Sequence, residues 1–278
     1  MEPGVCQAVP SNRRAARRYH RSLFPRTFAR LCYLGPDKVS NITLYGENFY
    51  ATLHAMLIAI EGIDGAGKRT LAAYLAQIVE REGRDPIVIS FPRYGKSVIS
   101  GAISSMLAAP WGQVGAIRPE AAAALFATER FEVKDDIAGW LNSGKTVITD
   151  RYIFSNIAYQ GARIPELNRD RFIKWVIDLE VTRFKAPVPS VAIYLDIPVS
   201  EAQRRVSMRA LDDRPYGGDA YESNEGLLKQ ARELFTKLAE DNLLCPWLHI
   251  PVHREQKSDP NKVAQTVWDW IKSRPEEI

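Results

Sequence analysis

Long apolar runs are missing from this sequence. No stretch approaches the ~20 consecutive apolar residues that a membrane-crossing helix needs, and the N-terminus lacks a continuous apolar run followed by small residues, which argues against a secretory leader. Cysteine is scarce as well. Three in 278 residues are too few for a disulfide framework, and with Cys6 and Cys32 in an atypical N-terminal segment only Cys245 belongs to the rest, as suits a reducing cytoplasm. Internal repeats and low-complexity tracts are absent too. A strong charge of one sign is also lacking once the net +4 is divided along the chain. Residues 1–55 hold eight basic against three acidic residues, +5, and the remainder holds 29 against 30, −1. The basicity belongs to the N-terminal extension, so nucleic-acid binding by the rest of the chain is not expected.

What is present, from Met56 onward, is alternation of short apolar runs with helical stretches, the pattern of an α/β fold built on a parallel sheet. Five strands are expected: Leu57–Glu61, Pro86–Phe91, Thr146–Thr149, Val191–Asp196 and Trp247–Pro251. Pro119–Trp140, with its four consecutive alanines, predicts a long helix ending near Asn142-Ser143-Gly144. Ser200 with Gln203 predicts a capping box, and Asp259 before Pro260 predicts an N-cap with a first-turn proline. Two regions result, an extension over 1–55 and a domain over 56–278. For the extension three readings compete: a disordered basic arm touching nucleic acid, a targeting peptide, or an inert tail upstream of a translation start at Met56.

The strongest local signal is Gly62-Ile63-Asp64-Gly65-Ala66-Gly67-Lys68-Arg69-Thr70, set between an apolar strand and an amphipathic helix. Such a loop wraps phosphates with backbone N–H groups, adds the positive end of a helix and brings a lysine to the β- and γ-phosphates. A dinucleotide fingerprint is excluded, since G-x-G-x-x-G is absent. The hydroxyl residue that usually follows the lysine and helps hold Mg²⁺ is replaced by Arg69. Asp64 and Asp150 are then the available carboxylates for metal; a turn-stabilising role is the bland alternative for Asp64.

Acceptor-site candidates gather at predicted strand ends. Arg93, in Phe91-Pro92-Arg93-Tyr94, can grip a phosphate dianion. Phe126 and Arg130, four apart, share one helix face, offering a ring and a donor fork to a nucleobase, although Phe126 alone also reads as core. Asp150-Arg151-Tyr152 ends the third strand; Arg151 can meet phosphate, and Asn156, Tyr159 and Gln160 are candidates for base and sugar edges. The basic, glycine-bearing segment from Arg204 to Gly218 reads as a lid whose arginines close over phosphates.

Together the loop, the Phe91-to-Gly95 stretch, the Phe126-to-Arg130 spacing, Asp150-Arg151-Tyr152 and Ala158-Tyr159-Gln160-Gly161 resemble the thymidylate kinase family, in family order and over 56–278. These motifs look like the bacterial branch that also carries arginine after the lysine. The resemblance implies a P-loop kinase fold with strand order 2-3-1-4-5 and a basic lid, Mg²⁺ with ATP as phosphoryl donor, dTMP as acceptor and a homodimer. It also implies site roles. Lys68, Arg209, Asp64 and Asp150 are catalytic; residues 62 to 70 and Arg205 hold ATP; Arg93 and Arg151 hold the dTMP phosphate; Phe126 stacks on thymine; Arg130 and Asn156 face its edge; Tyr159 crowds a ribose 2′ position. Arg214 is similar to a further lid arginine, and Asp219, Tyr221 and Glu222 to the segment that closes over the nucleotide after the lid, with Tyr221 at the dTMP. Competing readings are a P-loop kinase for another deoxynucleotide or nucleoside and a non-catalytic nucleotide-binding regulator.

Overall fold

The computed structural model describes residues 55–108, 117–208, 221, 224–252 and 259–274. Five parallel strands form one sheet in the order β2-β3-β1-β4-β5: β1 Met56–Glu61, β2 Pro86–Ser90, β3 Thr146–Asp150, β4 Val191–Asp196 and β5 Trp247–Pro251. This matches the expected count, direction and order. Every residue of β1 is buried, as a central strand covered on both faces requires. Its neighbour β3 is nearly as buried, while β2 and β5, at the edges, alternate with exposed positions. Three strand ends shift by one residue, the first being β1, which begins at Met56 rather than Leu57. Phe91 lies beyond β2, where the chain turns through a cis Phe91–Pro92 bond, and Asp150 joins β3, paired with Ile60 of β1 and Ser90 of β2.

The helices are α1 Lys68–Arg81, α2 Val98–Ala108, α3 Pro119–Asn142, α4 Ile153–Gly161, α5 Glu166–Ile177, α6 Val199–Ser207, α7 Glu225–Glu240 and α8 Pro260–Lys272. A six-residue π-helical segment, Asp178–Arg183, continues α5. α1 packs against α8, while α4 packs against α3, α5 and α7, closing an apolar core around β1 that includes Leu75, Ile137, Phe154, Phe235 and Trp268.

Of the three helix ends expected from the sequence, two follow local chemistry and one departs from it. Asp259 caps α8 by accepting from Asn261 N–H at 3.0 Å, with Pro260 in the first turn, and α3 ends at Asn142 before Gly144. The expected cap at Ser200 is wrong. α6 begins two residues earlier than that box allows, with Pro198 as its cap residue and no side-chain cap bond. Burial decides the start, since Val199 and Ala202 turn into the core and fix the helix face from its first residue.

Candidate active site

The sheet register brings the carboxyl ends of β1, β2 and β3 together, since Ile60, Asp150 and Ser90 are aligned partners. Open α/β sheets bind ligands at this edge. From β1 the chain enters the glycine loop, whose shape depends on close backbone approach. A Cβ on Gly62 would lie 2.5 Å from Leu195 O of β4, and one on Gly65 2.5 Å from Ala202 O of α6. The first inward helix bond runs from Leu71 N–H to Gly67 O at 3.0 Å, so the N–H groups of Lys68, Arg69 and Thr70 emerge at the loop without intrahelical partners. The N-cap is Gly67 with no side-chain cap. Arg69 and Thr70 are exposed, whereas the Lys68 side chain folds under the loop and donates to Ile63 O at 2.9 Å. Burial, with the neighbouring Arg151, pushes the Lys68 ammonium down to about 8.

Arg151 and Asp64 form the hub of the site. Arg151 adopts left-handed backbone geometry (φ 69°), rare for a residue with a Cβ and a form of stored strain. Its guanidinium donates to Gly62 O at 3.1 Å, Ser155 Oγ at 3.0 Å and Asp64 Oδ1 at 2.5 Å. The other Asp64 oxygen accepts from Tyr159 OH at 2.7 Å, and that hydroxyl in turn accepts from Asp64 N–H at 3.2 Å. The favourable charges of Arg151 and Lys68 outweigh burial and hold the Asp64 carboxyl well below the usual range. Beneath this hub Glu61 is fully buried, accepting from Tyr152 N–H at 2.9 Å and Ser155 Oγ at 2.5 Å. Burial pushes its carboxyl up to about 6 despite those donors.

Asp150 stands at the end of β3, and no side-chain hydrogen bond engages it among the described residues. Of the two carboxylates proposed for metal, it is the one with unspent oxygens. Together they are hard oxygen donors of the kind Mg²⁺ accepts beside water and phosphate. No cluster of three or more metal-binding side chains occurs among the described residues.

On the acceptor side, Arg93 is half-buried. Its backbone N–H donates to Glu129 Oε1 at 2.5 Å, and its guanidinium has no hydrogen-bond partner among the described residues. Phe126 is half-buried on α3 and packs on the core edge. Arg130 is not free. It is buried and forms a two-pronged pair with Glu180 of the π-helical segment, at 2.5 and 2.6 Å. Asn156 donates to Ala123 O at 3.0 Å and Glu180 Oε1 at 2.8 Å. Gln160 is buried on α4. Its oxygen accepts from Arg163 at 2.7 Å and from Tyr221 OH at 3.3 Å, while Arg163 also donates to Tyr221 OH at 2.9 Å and to Ile117 O. The Tyr221 ring stacks on Tyr159 with centroids 5.9 Å apart. Arg205 lies on α6, bonded to Glu201 at 2.8 Å. Arg209, Arg214, Asp219 and Glu222 lie outside the described residues, as does residue 1–54 of the extension.

Four residues here carried no role in the sequence reading: Glu61, Glu129, Arg163 and Glu180. A carboxylate closing an apolar run, as at Glu61, was the available signal, because a buried charge needs a specific partner.

Comparison with known proteins gives the family. A family model described as thymidylate kinase matches residues 60–248. A thymidylate kinase of Mycobacterium tuberculosis is 34% identical over 212 residues, 76% of this chain and 97% of that protein. A probable thymidylate kinase of Thermococcus onnurineus is 38% identical over 191 residues, 66% of this chain and 84% of that protein. In three dimensions, the structure of a Candida albicans thymidylate kinase superposes with a TM-score of 0.61 at 22% identity, covering 81% of this chain and 94% of that one. The chain belongs to the thymidylate kinase family.

Proposed function

We propose that this protein transfers the γ-phosphoryl group of ATP to dTMP, giving dTDP and ADP. The observation that carries the reading is a P-loop opening onto Arg151, Asp64 and Tyr159, with Arg93 and the Arg130–Asn156 pair on the acceptor side. In this reading a phosphate oxygen of dTMP attacks the γ-phosphorus in line, and the bond to the β,γ-bridging oxygen breaks. The acceptor is already anionic, so no strong general base is required; positioning and neutralisation of charge supply the rate. Lys68 exchanges its bond to Ile63 O for phosphate oxygens. Arg93 and Arg151 grip the dTMP phosphate, Phe126 stacks on the base, and Arg209 with Arg205 closes from the lid. Tyr159, held by Asp64, walls the deoxyribose. Asp150, with Asp64 beside it, would hold Mg²⁺, which would supply neutralisation of phosphate charge.

Family membership also supports a homodimer in the cytoplasm, and no described helix is long and apolar enough to cross a membrane. The test is ADP release with ATP, Mg²⁺ and each nucleoside monophosphate in turn. Selective turnover of dTMP is expected; folded, ATP-binding protein that spares dTMP and uses another acceptor would replace the assignment. Within the same assay Arg93→Ala should raise KM for dTMP far more than KM for ATP.

A further inference from the structure

Glu180 sits in the π-helical segment after α5, a distortion that recurs at functional sites. Its carboxylate is fully buried and binds two side chains at once. Oε2 accepts from Arg130 Nε at 2.5 Å, and Oε1 accepts from both Arg130 Nη2 at 2.6 Å and Asn156 Nδ2 at 2.8 Å. The second hydrogen of Asn156 Nδ2 goes to Ala123 O at 3.0 Å. An ionised carboxylate and a carbonyl are acceptors with no proton to give. The Asn156 amide therefore has one orientation, nitrogen toward Glu180 and oxygen away.

Two atoms are left over. Asn156 Oδ1 is buried without a hydrogen-bond partner among the described residues, a costly state for a polar atom, and it is an acceptor only. Arg130 Nη1 takes part in none of the hydrogen bonds among the described residues, and it is a donor only. Both side chains hang on one Glu180 oxygen, so the same carboxylate fixes the acceptor and the donor. A keto pyrimidine such as thymine offers an N3–H beside its O4 carbonyl, the complement of that pair. Cytosine offers a bare N3 beside an N4 amino group, with donor and acceptor reversed.

We propose that Glu180 is the positioning residue that sets base selectivity: by locking Asn156 and Arg130 in one polarity, it makes the acceptor site take thymine or uracil and refuse cytosine. This rests on the dTMP kinase reading above. If Glu180 only filled space, its replacement would change stability without changing which base is preferred.

The test compares kcat/KM for dTMP and dCMP, with KM for ATP and thermal unfolding, in the full chain and in Glu180→Gln. Glutamine has one acceptor oxygen for three donors that now share two; with that oxygen drawn to Arg130 Nε its –NH2 faces Asn156, whose amide is then free to turn and accept. Hydrogen-bonding sites discriminate by large factors, and the dTMP-to-dCMP ratio should fall by about tenfold or more while KM for ATP stays within about twofold. A folded Glu180→Gln protein that keeps the full ratio overturns the proposal. Where that variant does not fold, Glu180→Asp decides, because it keeps the charge opposite Arg130 but is too short to hold both partners; unchanged selectivity there also overturns it. The unaltered chain gives a third reading that needs no variant. N3-methyl-dTMP must bind at least about tenfold more weakly than dTMP, and equal binding removes the acceptor on which the proposal depends. Failure of the unaltered chain to use dTMP at all sinks the functional reading instead, which keeps the two outcomes apart.

Discussion

At the scale of single residues, the site is governed by charges that lack water. Lys68 is buried and its ammonium sits at about 8 in the free protein, chiefly through desolvation. ATP binding needs the charged form, so binding must restore a proton that the free protein loses above about pH 8. The dissociation constant for ATP, measured by calorimetry, should be flat below pH 7 and rise toward tenfold per pH unit above about 8. A flat profile to pH 9.5 would mean that the ammonium is not desolvated as the geometry requires. Lys68→Ala should lower kcat by orders of magnitude with its unfolding midpoint little changed. Glu61 is the opposite kind of group. Its folded-state value is raised from 4.5 to about 6 by burial, so the folded protein holds a proton that the unfolded chain releases. The sign is then fixed: this group favours the folded state most at low pH, and that advantage is lost as pH rises from 4.5 through 6. The difference in unfolding free energy between the wild type and Glu61→Gln should therefore shift by about 2 kcal/mol between pH 4.5 and 7. Using the difference removes Asp64, whose depressed carboxyl titrates in the other direction. A constant difference would show that Glu61 is not the buried acid described.

At the scale of elements, the strands and the loop between β1 and α1 were legible because each depends on its own residues. An unbroken apolar run such as Leu57–Ile60 has few alternatives to a central strand, and two glycines before a lysine at a strand end specify a phosphate loop without distant help. What was not legible depends on contacts across the chain. Glu180 meets Arg130 from 50 positions away and Glu61 meets Ser155 from 94, and neither spacing leaves a periodic trace. Ser200 shows the reverse error, a valid local capping pattern overruled by the burial of Val199 and Ala202. The loop offers a matched pair of substitutions. Gly65 has φ +85° and would place a Cβ 2.5 Å from Ala202 O, whereas Gly101, inside α2, has nothing within 4 Å. Gly65→Ala should cost about 1–3 kcal/mol in backbone strain and clash and weaken ATP binding, because the loop is pushed from α6. Gly101→Ala should instead gain roughly 0.5–1 kcal/mol from helix propensity. Urea unfolding of both variants checks the contrast, and equal stabilities would mean the loop is not held against α6.

At the scale of the whole molecule, the charge and the site lie in different parts of the chain. Among the described residues, the side chains placed at the P-loop and acceptor edge come from Glu61 onward, and the buried core cluster begins at Met56. Residues 1–55 carry +5 while the remainder carries −1. Attraction between a basic arm and polyanions acts over about a Debye length and is screened by salt, whereas phosphoryl transfer depends on the positioning of groups within the site. The two therefore separate experimentally. We propose that 56–278 is the catalytic unit, and a chain beginning at Met56 should keep kcat/KM for dTMP within about twofold of the full chain at 0.15 M salt, where charge steering is largely screened. Lowering the salt should lower KM for the anionic substrates more in the full chain than in the shortened one, as steering by the basic arm requires. The same pair of proteins tests the arm directly. Binding to single-stranded DNA that falls steeply with salt and vanishes on removal of 1–55 would assign the extension to nucleic acid. A shortened chain that folds, by its thermal transition, yet turns over dTMP more than tenfold more slowly at 0.15 M salt would instead place part of the catalytic machinery in the extension, and the boundary at Met56 would have to move.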